Sequence, residues 1–395
     1  MNIGILGHGV VGQGVATLLV DHAGRMEARC GQPMRLHRVA DLRDFSHLPY
    51  ADRFTKDAWQ VVRDPEIDLV AEMMGGVNPA FDFVAEALRQ GKHVVTSNKA
   101  LVAAKGPELT RLAVEKQVFF LYEASVGGGI PVLRPLTQCL AANDVTVVEG
   151  ILNGTTNFML SRMQEGLSYG DALALAQKLG YAERDPHDDV AGVDAQRKLA
   201  ILATLASERF VDYQDLHVEG IEWITTRDMR TAEVFGGCVR LVARTQRTAE
   251  GVAAYVVPMV LPRNHTLAQV EDVYNGVLIR GDAVEDVFFR GRGAGSMPTA
   301  SAVMGDIIFA ARYAGSRILP PFDVDSRQSV LDYDYIPGKF LLRTDQPVKG
   351  WDSRPVDGEY AVLTPLTTPM QLRSDLRRLE GVAFSGAPLR CDDSL

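Results

Sequence analysis

The feature that most constrains the fold is a glycine-rich turn near the start of the chain. An apolar run over residues 2–6 is followed by Gly7, Gly9 and Gly12 in a G-x-G-x-x-G spacing. Apolar residues after the turn recur with the period of a helix, through Leu19. The order strand, turn, helix is the context in which this spacing binds a dinucleotide. A glycine-rich turn that binds no ligand is the alternative, and this placement argues against it.

The residues of the turn have separate roles in such a site. Gly7 permits the tight turn, Gly9 lets the backbone approach a pyrophosphate, and Gly12 lets the helix pack closely on the strand. Val10 and Val11 lie between Gly9 and Gly12, and the N-terminus of the helix that follows offers unpaired N–H groups and a positive dipole end to the phosphates. We therefore predict that these five residues bind the coenzyme.

Strand and helix patterns alternate through the first part of the chain. Further strands are predicted over 35–40, 67–73 and 93–96, with a helix over 79–89 between two of them. Such alternation implies right-handed crossovers and a parallel sheet. We predict a Rossmann-type, doubly wound α/β domain over 1–130 that binds NAD(P).

The end of the second strand bears on the choice of coenzyme. An acidic residue there binds the ribose 2′-OH of NAD, whereas an arginine accommodates the 2′-phosphate of NADP. Asp41 favours NAD and Arg43 favours NADP, so the residues leave both coenzymes open. We favour NADP through Arg43.

Composition narrows the class of protein. The chain has 395 residues, 46% of them hydrophobic, and 41 basic against 50 acidic side chains give a formal charge of −9. This acidic balance argues against nucleic acid or an anionic membrane as the main partner. The four cysteines form no C-x-x-C pair, and no apolar stretch approaches the roughly 20 residues that span a bilayer. The opening residues lack the pattern of a signal peptide, so we expect a cytoplasmic protein.

Several long blocks downstream resemble homoserine dehydrogenases. These blocks are residues 71–76 (AEMMGG), 91–100, 122–131, 150–157, 180–198 and 291–300. With the opening turn they extend the resemblance over residues 1–315. The family interconverts L-homoserine and L-aspartate 4-semialdehyde with NAD(P), in threonine and methionine synthesis. The resemblance implies that activity here, with L-homoserine or the semialdehyde as the small-molecule substrate.

Two lysines are candidate catalytic residues. Lys99 follows a predicted strand, at the edge of the sheet where ligands bind in this fold. Lys198 lies four residues after Asp194 in a helix predicted over 190–206, so both project from one face. By themselves these residues also fit a solvated lysine and an ordinary surface ion pair. The resemblance implies that Lys198 donates or accepts the proton and that Lys99 acts at the reacting oxygen.

Carboxylates near Lys198 are candidate substrate ligands. Two carboxylates and a lysine suit a substrate that carries an α-ammonium, an α-carboxylate and a reacting oxygen. A lysine serves as acid and base when burial or a second cation lowers its pKa from about 10.4 toward 7–8. With the resemblance, we assign substrate binding to Gly180, Glu183, Asp189 and Asp194.

The resemblance also implies further ligand contacts. The expected coenzyme contacts beyond the opening turn are Gly75, Lys99, Gly293 and Gly295. A structural monovalent cation such as Na⁺ is expected at Glu123, Val126, Gly128 and Ile130, through one carboxylate and several backbone carbonyls. From the residues alone, this segment is only a glycine-rich loop.

The rest of the chain is predicted to be α+β. Residues 131–315 form a catalytic and dimerisation domain with a mostly antiparallel sheet, and 295–315 return to the coenzyme domain. Residues 316–395 form a shortened ACT-like region, in which a strand over 339–343 is not followed by the expected helix. The family forms homodimers through the middle domain. Strands in that domain are predicted over 145–151, 237–245, 252–261, 277–281 and 287–289.

Two other functions are compatible with this pattern. One is a coenzyme-binding regulatory protein of the same fold that has lost turnover, which the shortened tail favours. The chain retains the two lysines, Lys99 and Lys198, and the two carboxylates, Glu183 and Asp194, which argues against a loss of turnover. The other is a dehydrogenase of a related amino-acid semialdehyde or hydroxy acid.

Overall fold

The computed structural model describes residues 1–379 and 381–395, and contacts divide the chain into two units. The first unit consists of Met1–Ala142, Thr204–Asp212 and Gly291–Arg327. The second unit consists of Asn143–Ala203, Tyr213–Arg290 and Gln328–Leu395. The chain thus leaves the first unit and returns to it twice, and most of the tail is grouped with the second unit.

Strands and helices alternate in the first part of the chain, and long strands dominate later. In the described residues the strands are β1 (Asn2–Leu6), β2 (Arg35–Ala40), β3 (Phe54–Thr55), β4 (Leu69–Glu72), β5 (His93–Thr96), β6 (Phe120–Leu121), β7 (Val145–Ile151), β8 (Arg209–Phe210), β9 (His217–Val218), β10 (Gly237–Arg247), β11 (Val252–Pro262), β12 (Tyr274–Gly281), β13 (Glu285–Arg292), β14 (Asp323–Arg327), β15 (Lys339–Thr344), β16 (Asp352–Val356), β17 (Glu359–Leu363) and β18 (Leu389–Cys391). The α-helices there are α1 (Val10–Asp21), α2 (Ala23–Cys30), α3 (Trp59–Val62), α4 (Ala80–Arg89), α5 (Lys99–Lys116), α6 (Gly154–Gln164), α7 (Tyr169–Lys178), α8 (His187–Val190), α9 (Val193–Ser207), α10 (Thr226–Val234), α11 (Ser296–Tyr313) and α12 (Pro369–Arg378). Among the described residues, no helix is long and apolar enough to cross a lipid bilayer.

The first unit is built on a six-stranded parallel sheet. Its strand order is β3-β2-β1-β4-β5-β6, the doubly wound order that the sequence predicts. The order reverses between β1 and β4, and the carboxyl ends of these strands form the crevice that binds ligands in such sheets. A second, two-stranded sheet pairs β14 with β8.

Helix α1 packs against both β1 and α11. A Cβ placed on Gly12 would lie 2.1 Å from the carbonyl oxygen of Gly7, so only glycine allows the observed approach of helix to turn. Two residues further along α1, a Cβ on Gly14 would lie 2.8 Å from the Cβ of Ala300. Apolar side chains of β1, α1 and α11 share one buried cluster, which includes Ile5 and Ile307. Helix α11 therefore completes the core beneath the glycine-rich turn.

The second unit is built on a ten-stranded mixed sheet. Its main path is β13-β12-β7-β10-β11-β18-β15-β17-β16, and β9 adds to β11. Most neighbouring strands are antiparallel, whereas β11 pairs in parallel with β9 and β18. The predicted mostly antiparallel sheet is confirmed. Strands β12 and β13 are longer than the sequence pattern indicates.

The helix predicted over 190–206 corresponds to α9 (Val193–Ser207), which begins later than predicted. Helix α8 ends at Val190 and α9 begins at Val193. Gly192 between them has a φ of +82°, a left-handed conformation that ends a helix. The predicted start at residue 190 was wrong for this reason, since Val190 ends the short helix α8. Asp194 and Lys198 nevertheless both lie in α9, four residues apart as predicted.

The tail adds four strands and one helix to the second unit. Strand β15 leads through an irregular segment, rather than a helix, to the hairpin β16–β17, and α12 then precedes β18. Strand β18 pairs with β15 on one side and β11 on the other. The tail strands therefore extend the main sheet. The ACT-like assignment of this region stays a prediction.

Replacement of Gly12 by alanine tests the contact between helix and turn. We expect Gly12→Ala to lower the free energy of unfolding by about 1–3 kcal/mol, because the added methyl group overpacks against backbone. The matched control is Gly24→Ala in α2, where an added Cβ meets no atom within 4 Å. We expect this control to raise the free energy of unfolding by about 0.5–1 kcal/mol. Urea unfolding followed by circular dichroism measures both, and wild-type stability of Gly12→Ala would contradict the packing described.

Candidate active site

The glycine-rich turn leaves the start of α1 open. Gly7 has a φ of +86° and its N–H donates to the carbonyl of Ala40. Gly9 is the N-cap of α1, and no side chain in the described chain caps this helix. The first N–H groups of an α-helix have no partner inside the helix. The turn thus presents unpaired donors at Val10, Val11 and Gly12, which is the arrangement that binds phosphate.

Asp41 and Arg43 are joined in one hydrogen-bonded group. The Asp41 carboxylate accepts the N–H of His8 at 2.7 Å and the guanidinium of Arg43 at 2.9 and 2.7 Å. These bonds hold the pKa of Asp41 well below its usual range, with the Arg43 side chain as the largest cause. The Arg43 side chain is 60% exposed, and a Cβ on Gly9 would lie 3.8 Å from its Nη2. The carboxylate is thus already engaged, while the guanidinium is exposed beside the turn.

His8, inside the motif, anchors the segment that follows Arg43. Its side chain is fully buried and makes edge-to-face contacts with Phe45 and Phe54. Nε2 lies 3.2 Å from the hydroxyl of Tyr50, and burial lowers the pKa of the imidazole. Sequence reasoning missed this role. The aromatic residues between 45 and 54 are the signal that marks a packed segment.

A buried glutamate stands at the carboxyl end of β4. The carboxylate of Glu72 accepts the N–H of Met74 at 2.7 Å and the hydroxyl of Thr96 at 2.6 Å. A third, longer bond of 3.4 Å comes from the side-chain amide of Asn98. Burial raises the pKa of this carboxyl. Glu72 thereby ties the end of β4 to the end of β5.

Asn98 extends this network to Lys99. Its amide group donates to the carbonyl of Gly76 at 2.6 Å, and its side-chain oxygen accepts the N–H of Leu101 as the N-cap of α5. Lys99 is the first residue of α5. The structure therefore brings the predicted residues Gly75 and Lys99 to the same edge of the sheet. Sequence reasoning missed Glu72 and Asn98, although both lie in blocks that carry the family resemblance.

The predicted contacts at Gly293 and Gly295 also lie near the turn. Ser296, which begins α11, donates its hydroxyl to the carbonyl of Val10 at 2.6 Å. A Cβ on Gly128 would lie 2.3 Å from the carbonyl oxygen of Gly293. The segment that returns to the first unit thus lies between α1 and the loop at residues 127–129.

Glu123 has a different geometry from the expected cation ligand. One carboxylate oxygen accepts the N–H groups of Val132 and Leu133 at 2.6 and 2.8 Å, and the other accepts that of Arg134 at 2.7 Å. Both oxygens are therefore engaged by backbone donors. The other predicted ligands, Val126, Gly128 and Ile130, lie on the buried loop between Glu123 and these donors.

In the second unit, Lys198 is buried in a polar group. Its Nζ donates to a carboxylate oxygen of Asp194 at 2.7 Å and to the carbonyl of Leu152 at 2.8 Å. The side chains of Lys198 and Asp194 are only 11% and 6% exposed. A charge removed from water is stable only when it is paired and hydrogen-bonded. The pair is therefore not the solvated surface pair that the spacing alone allows.

Asn153 joins this pair to Asp189. Its amide group donates to Asp189 at 2.7 Å and to Asp194 at 2.9 Å, and its side-chain oxygen caps α6. Burial raises the pKa of Asp189. We call Asn153, Asp189, Asp194 and Lys198 the polar cluster. Sequence reasoning missed Asn153, because its partners lie 36 and 41 residues away.

Gly180 and Glu183 lie on an exposed loop after α7. The carbonyl of Glu183 accepts the side-chain amide of Gln177 at 3.2 Å, which fixes the backbone of the loop. Nearby, the carbonyl of Tyr181 accepts the hydroxyl of Thr155 at 2.6 Å. Within the described chain, the Glu183 carboxylate forms no hydrogen bond or ion pair. The structure thus does not include Glu183 in the polar cluster.

Removal of Asp194 tests the pairing of the buried lysine. Asp194→Leu is expected to lower the free energy of unfolding by about 3–5 kcal/mol, since it leaves an ammonium buried without its counter-charge. Asp188 of α8 pairs with Arg197 of α9, and the Asp188 side chain is 61% exposed. The control Asp188→Leu is expected to cost less than about 1 kcal/mol. If urea unfolding shows the same loss of unfolding free energy for both variants, Lys198 and Asp194 do not form a buried ion pair.

Two family models match the chain over most of its length. The model described as homoserine dehydrogenase, NAD binding domain, matches residues 7–123, and the model described as homoserine dehydrogenase matches residues 131–308. The first range contains the glycine-rich turn, Glu72 and Lys99. The second contains the whole polar cluster.

Individual relatives agree with these models. The homoserine dehydrogenase of Neisseria gonorrhoeae is 38% identical over 361 residues, which is 88% of this chain and 83% of that protein. The homoserine dehydrogenase of Bacillus subtilis is 40% identical over 313 residues, or 78% of this chain and 72% of that protein.

Solved structures give the same family. A homoserine dehydrogenase from Thiobacillus denitrificans has a TM-score of 0.92 at 33% identity, covering 100% of this chain and 98% of that one. A hyperthermophilic archaeal homoserine dehydrogenase mutant in complex with NADPH has a TM-score of 0.68 at 26% identity, covering 78% of this chain and 97% of that one.

Proposed function

The chain belongs to the homoserine dehydrogenase family, and from that premise we propose which residues carry the reaction and which coenzyme it uses. Members of the family interconvert L-homoserine and L-aspartate 4-semialdehyde. A bound nicotinamide coenzyme supplies or accepts the hydride. The observation that carries the proposal is the buried ammonium of Lys198, held between the Asp194 carboxylate and the Leu152 carbonyl.

Lys198 is proposed as the proton donor and acceptor at the reacting oxygen. When a hydride reaches the aldehyde carbon, the oxygen becomes an alkoxide that needs a proton, and a positioned ammonium provides it. In the reverse direction, the amine takes the proton from the hydroxyl of homoserine. Bonds to Asp194 and to the Leu152 carbonyl hold the Lys198 amine in a defined position for this transfer.

The carboxylates near Lys198 suit the ammonium end of the substrate. Asp189 and Asp194 are held at fixed positions by Asn153. Glu183 is the exposed carboxylate of the neighbouring loop, and we propose that it and the Gly180 backbone contact the substrate. Lys99, at the start of α5, is proposed as a second cation near the reacting oxygen.

Loss of the lysine amine tests its catalytic role. Lys198→Met keeps an unbranched side chain but removes the amine, and we expect kcat to fall at least about 100-fold, the usual scale for lost acid–base catalysis. Binding of NADP⁺, measured by calorimetry, should stay unchanged, since Lys198 has no proposed contact with it. The control is Lys178→Met at an exposed site of α7. Normal turnover of L-homoserine by Lys198→Met would remove this lysine from the mechanism.

NADP is the proposed coenzyme. The residues of the turn fit a bound dinucleotide, because the start of α1 offers unpaired N–H groups and Gly9 has no side chain in the way. Asp41 is already engaged by His8 and Arg43, which disfavours its use for a ribose 2′-OH. The exposed guanidinium of Arg43 beside Gly9 suits a 2′-phosphate. The archaeal relative in complex with NADPH is consistent with this choice.

An arginine substitution tests the coenzyme preference. Arg43→Ala is expected to raise the KM for NADP about 10–100-fold, since it removes a charge-assisted bond to phosphate. The KM for NAD should change little. Arg25→Ala, at an exposed site of α2, controls for the loss of one surface charge. Initial rates with both coenzymes at saturating L-homoserine measure the effect, and parallel changes with NAD and NADP would contradict the proposed role.

A structural monovalent cation, such as Na⁺, is proposed at the loop over residues 123–130. The donors that fit it are the backbone carbonyl oxygens of Glu123, Val126, Gly128 and Ile130. The Glu123 carboxylate does not fit, because three N–H groups already engage its oxygens. The side chain instead fixes the loop from within.

Homodimerisation through the second unit stays a proposal. Residues 237–245 of β10 and 252–261 of β11 are all buried within the described chain. In the described chain, these two central strands therefore expose no apolar face to a partner. The two edge strands of the main path, β13 and β16, are only partly buried and are candidates within the sheet.

A further inference from the structure

A cavity of about 330 Å³ lies within the first unit, apart from the glycine-rich turn. Its walls come from α5, β6, α11 and the segment over residues 316–321. Its volume is at the lower end of the range for small-molecule sites. Glu123, Leu133 and Arg134 of the loop described above also line it, but no catalytic, substrate or coenzyme role proposed above involves the cavity.

Aromatic rings form much of the wall. Phe309 packs against Phe119 and Tyr313, with ring centroids 5.5 and 4.7 Å apart. Arg134 lies over the ring of Phe309 at 4.7 Å and pairs with the buried carboxylate of Asp306. These two charges neutralise each other. The wall is therefore suited to a flat apolar body.

One polar atom in the wall has no partner. Thr110 of α5 is only 4% exposed and lines the cavity. Its hydroxyl forms no hydrogen bond with any described residue. A buried polar group left unpaired costs about 1–3 kcal/mol. The oxygen has almost no exposed surface, so a ligand hydroxyl would remove that cost once the Thr110 side chain turns about χ1 toward the cavity.

An unpaired positive charge also belongs to the wall. Arg317 lines the cavity and is exposed, and it forms no ion pair in the described part of the chain. Beside it, Leu319 is 66% exposed although it is apolar. Exposed apolar and cationic side chains at one rim suit a ligand whose anionic end reaches solvent.

We propose that this cavity binds a small aromatic carboxylic acid that also carries a ring hydroxyl. The ring lies against Phe309 and its aromatic neighbours, the hydroxyl bonds to Thr110, and the carboxylate pairs with Arg317. The proposal goes beyond the dehydrogenase reaction and does not depend on the roles given to Lys99 and Lys198.

Three related probes test the two polar contacts. Isothermal titration calorimetry with the full chain compares 3-(4-hydroxyphenyl)propionate with 3-phenylpropionate, which lacks the hydroxyl, and 4-(3-hydroxypropyl)phenol, which lacks the carboxylate. We expect saturable binding of the first probe, and Kd values about 3–10-fold higher for each of the others, since each loses one polar contact. Absence of saturable binding, or equal Kd values for all three, would overturn the proposal.

Substitutions in the wall locate the bound probe. Val114 is partly exposed and lines the cavity, so Val114→Phe should fill the space and abolish binding. Thr110→Val should erase the preference for the ring hydroxyl, and Arg317→Gln the preference for the carboxylate. Arg89→Gln, at an exposed site of α4, should leave every Kd unchanged. Turnover of L-homoserine should be normal in all four variants, which reports that each one folds.

The outcomes that contradict the proposal are distinct. Binding that survives Val114→Phe would place the probe elsewhere. If Arg89→Gln also loses the preferences for the ring hydroxyl and the carboxylate, the changes in Kd report the overall charge of the protein and not contacts in the cavity. If Val114→Phe dissociates an oligomer in sedimentation velocity, the wall is an interface with a second copy of the chain and the small-molecule proposal is wrong.

Discussion

The candidate active site depends on one buried charge. The ammonium of Lys198 lies out of water, and such a charge is tolerated only with a counter-charge and full hydrogen bonding. Asp194 and the carbonyl of Leu152 meet that requirement at 2.7 and 2.8 Å. Asn153 in turn holds Asp194 and Asp189 together. Because breaking any of these bonds costs free energy, the amine stays in one place. Proton transfer to a defined oxygen requires such a fixed position.

The coenzyme side of the protein uses a buried carboxylate for a similar purpose. Glu72 joins the ends of two parallel strands through Met74 and Thr96. Asn98 then carries the connection to the N-terminus of α5, where Lys99 lies. Loops at the carboxyl edge of a parallel sheet are otherwise held by few contacts. The network gives them defined positions without any side chain from the glycine-rich turn itself.

The sequence predicted what local patterns determine. The strand–turn–helix order predicted the parallel sheet, and the i, i+4 spacing placed Asp194 and Lys198 on one helix face. It did not predict the hydrogen bonds of Glu72 or Asn153, because their partners are distant in the chain. The proposal of NADP also rests on geometry, since the sequence does not show that Asp41 bonds to His8 and Arg43 or that the Arg43 side chain stays exposed. The helix break at Gly192 depends on one left-handed residue that an apolar pattern does not reveal.

The most direct test of the central claim is a crystal structure of the protein with NADP⁺ and L-homoserine. We expect Lys198 Nζ to lie within about 3.2 Å of the substrate hydroxyl oxygen while it keeps its bond to Asp194. We also expect the substrate ammonium beside the carboxylates of the polar cluster. A hydroxyl oxygen more than about 6 Å from Lys198 Nζ, too far for direct proton transfer, would contradict the account.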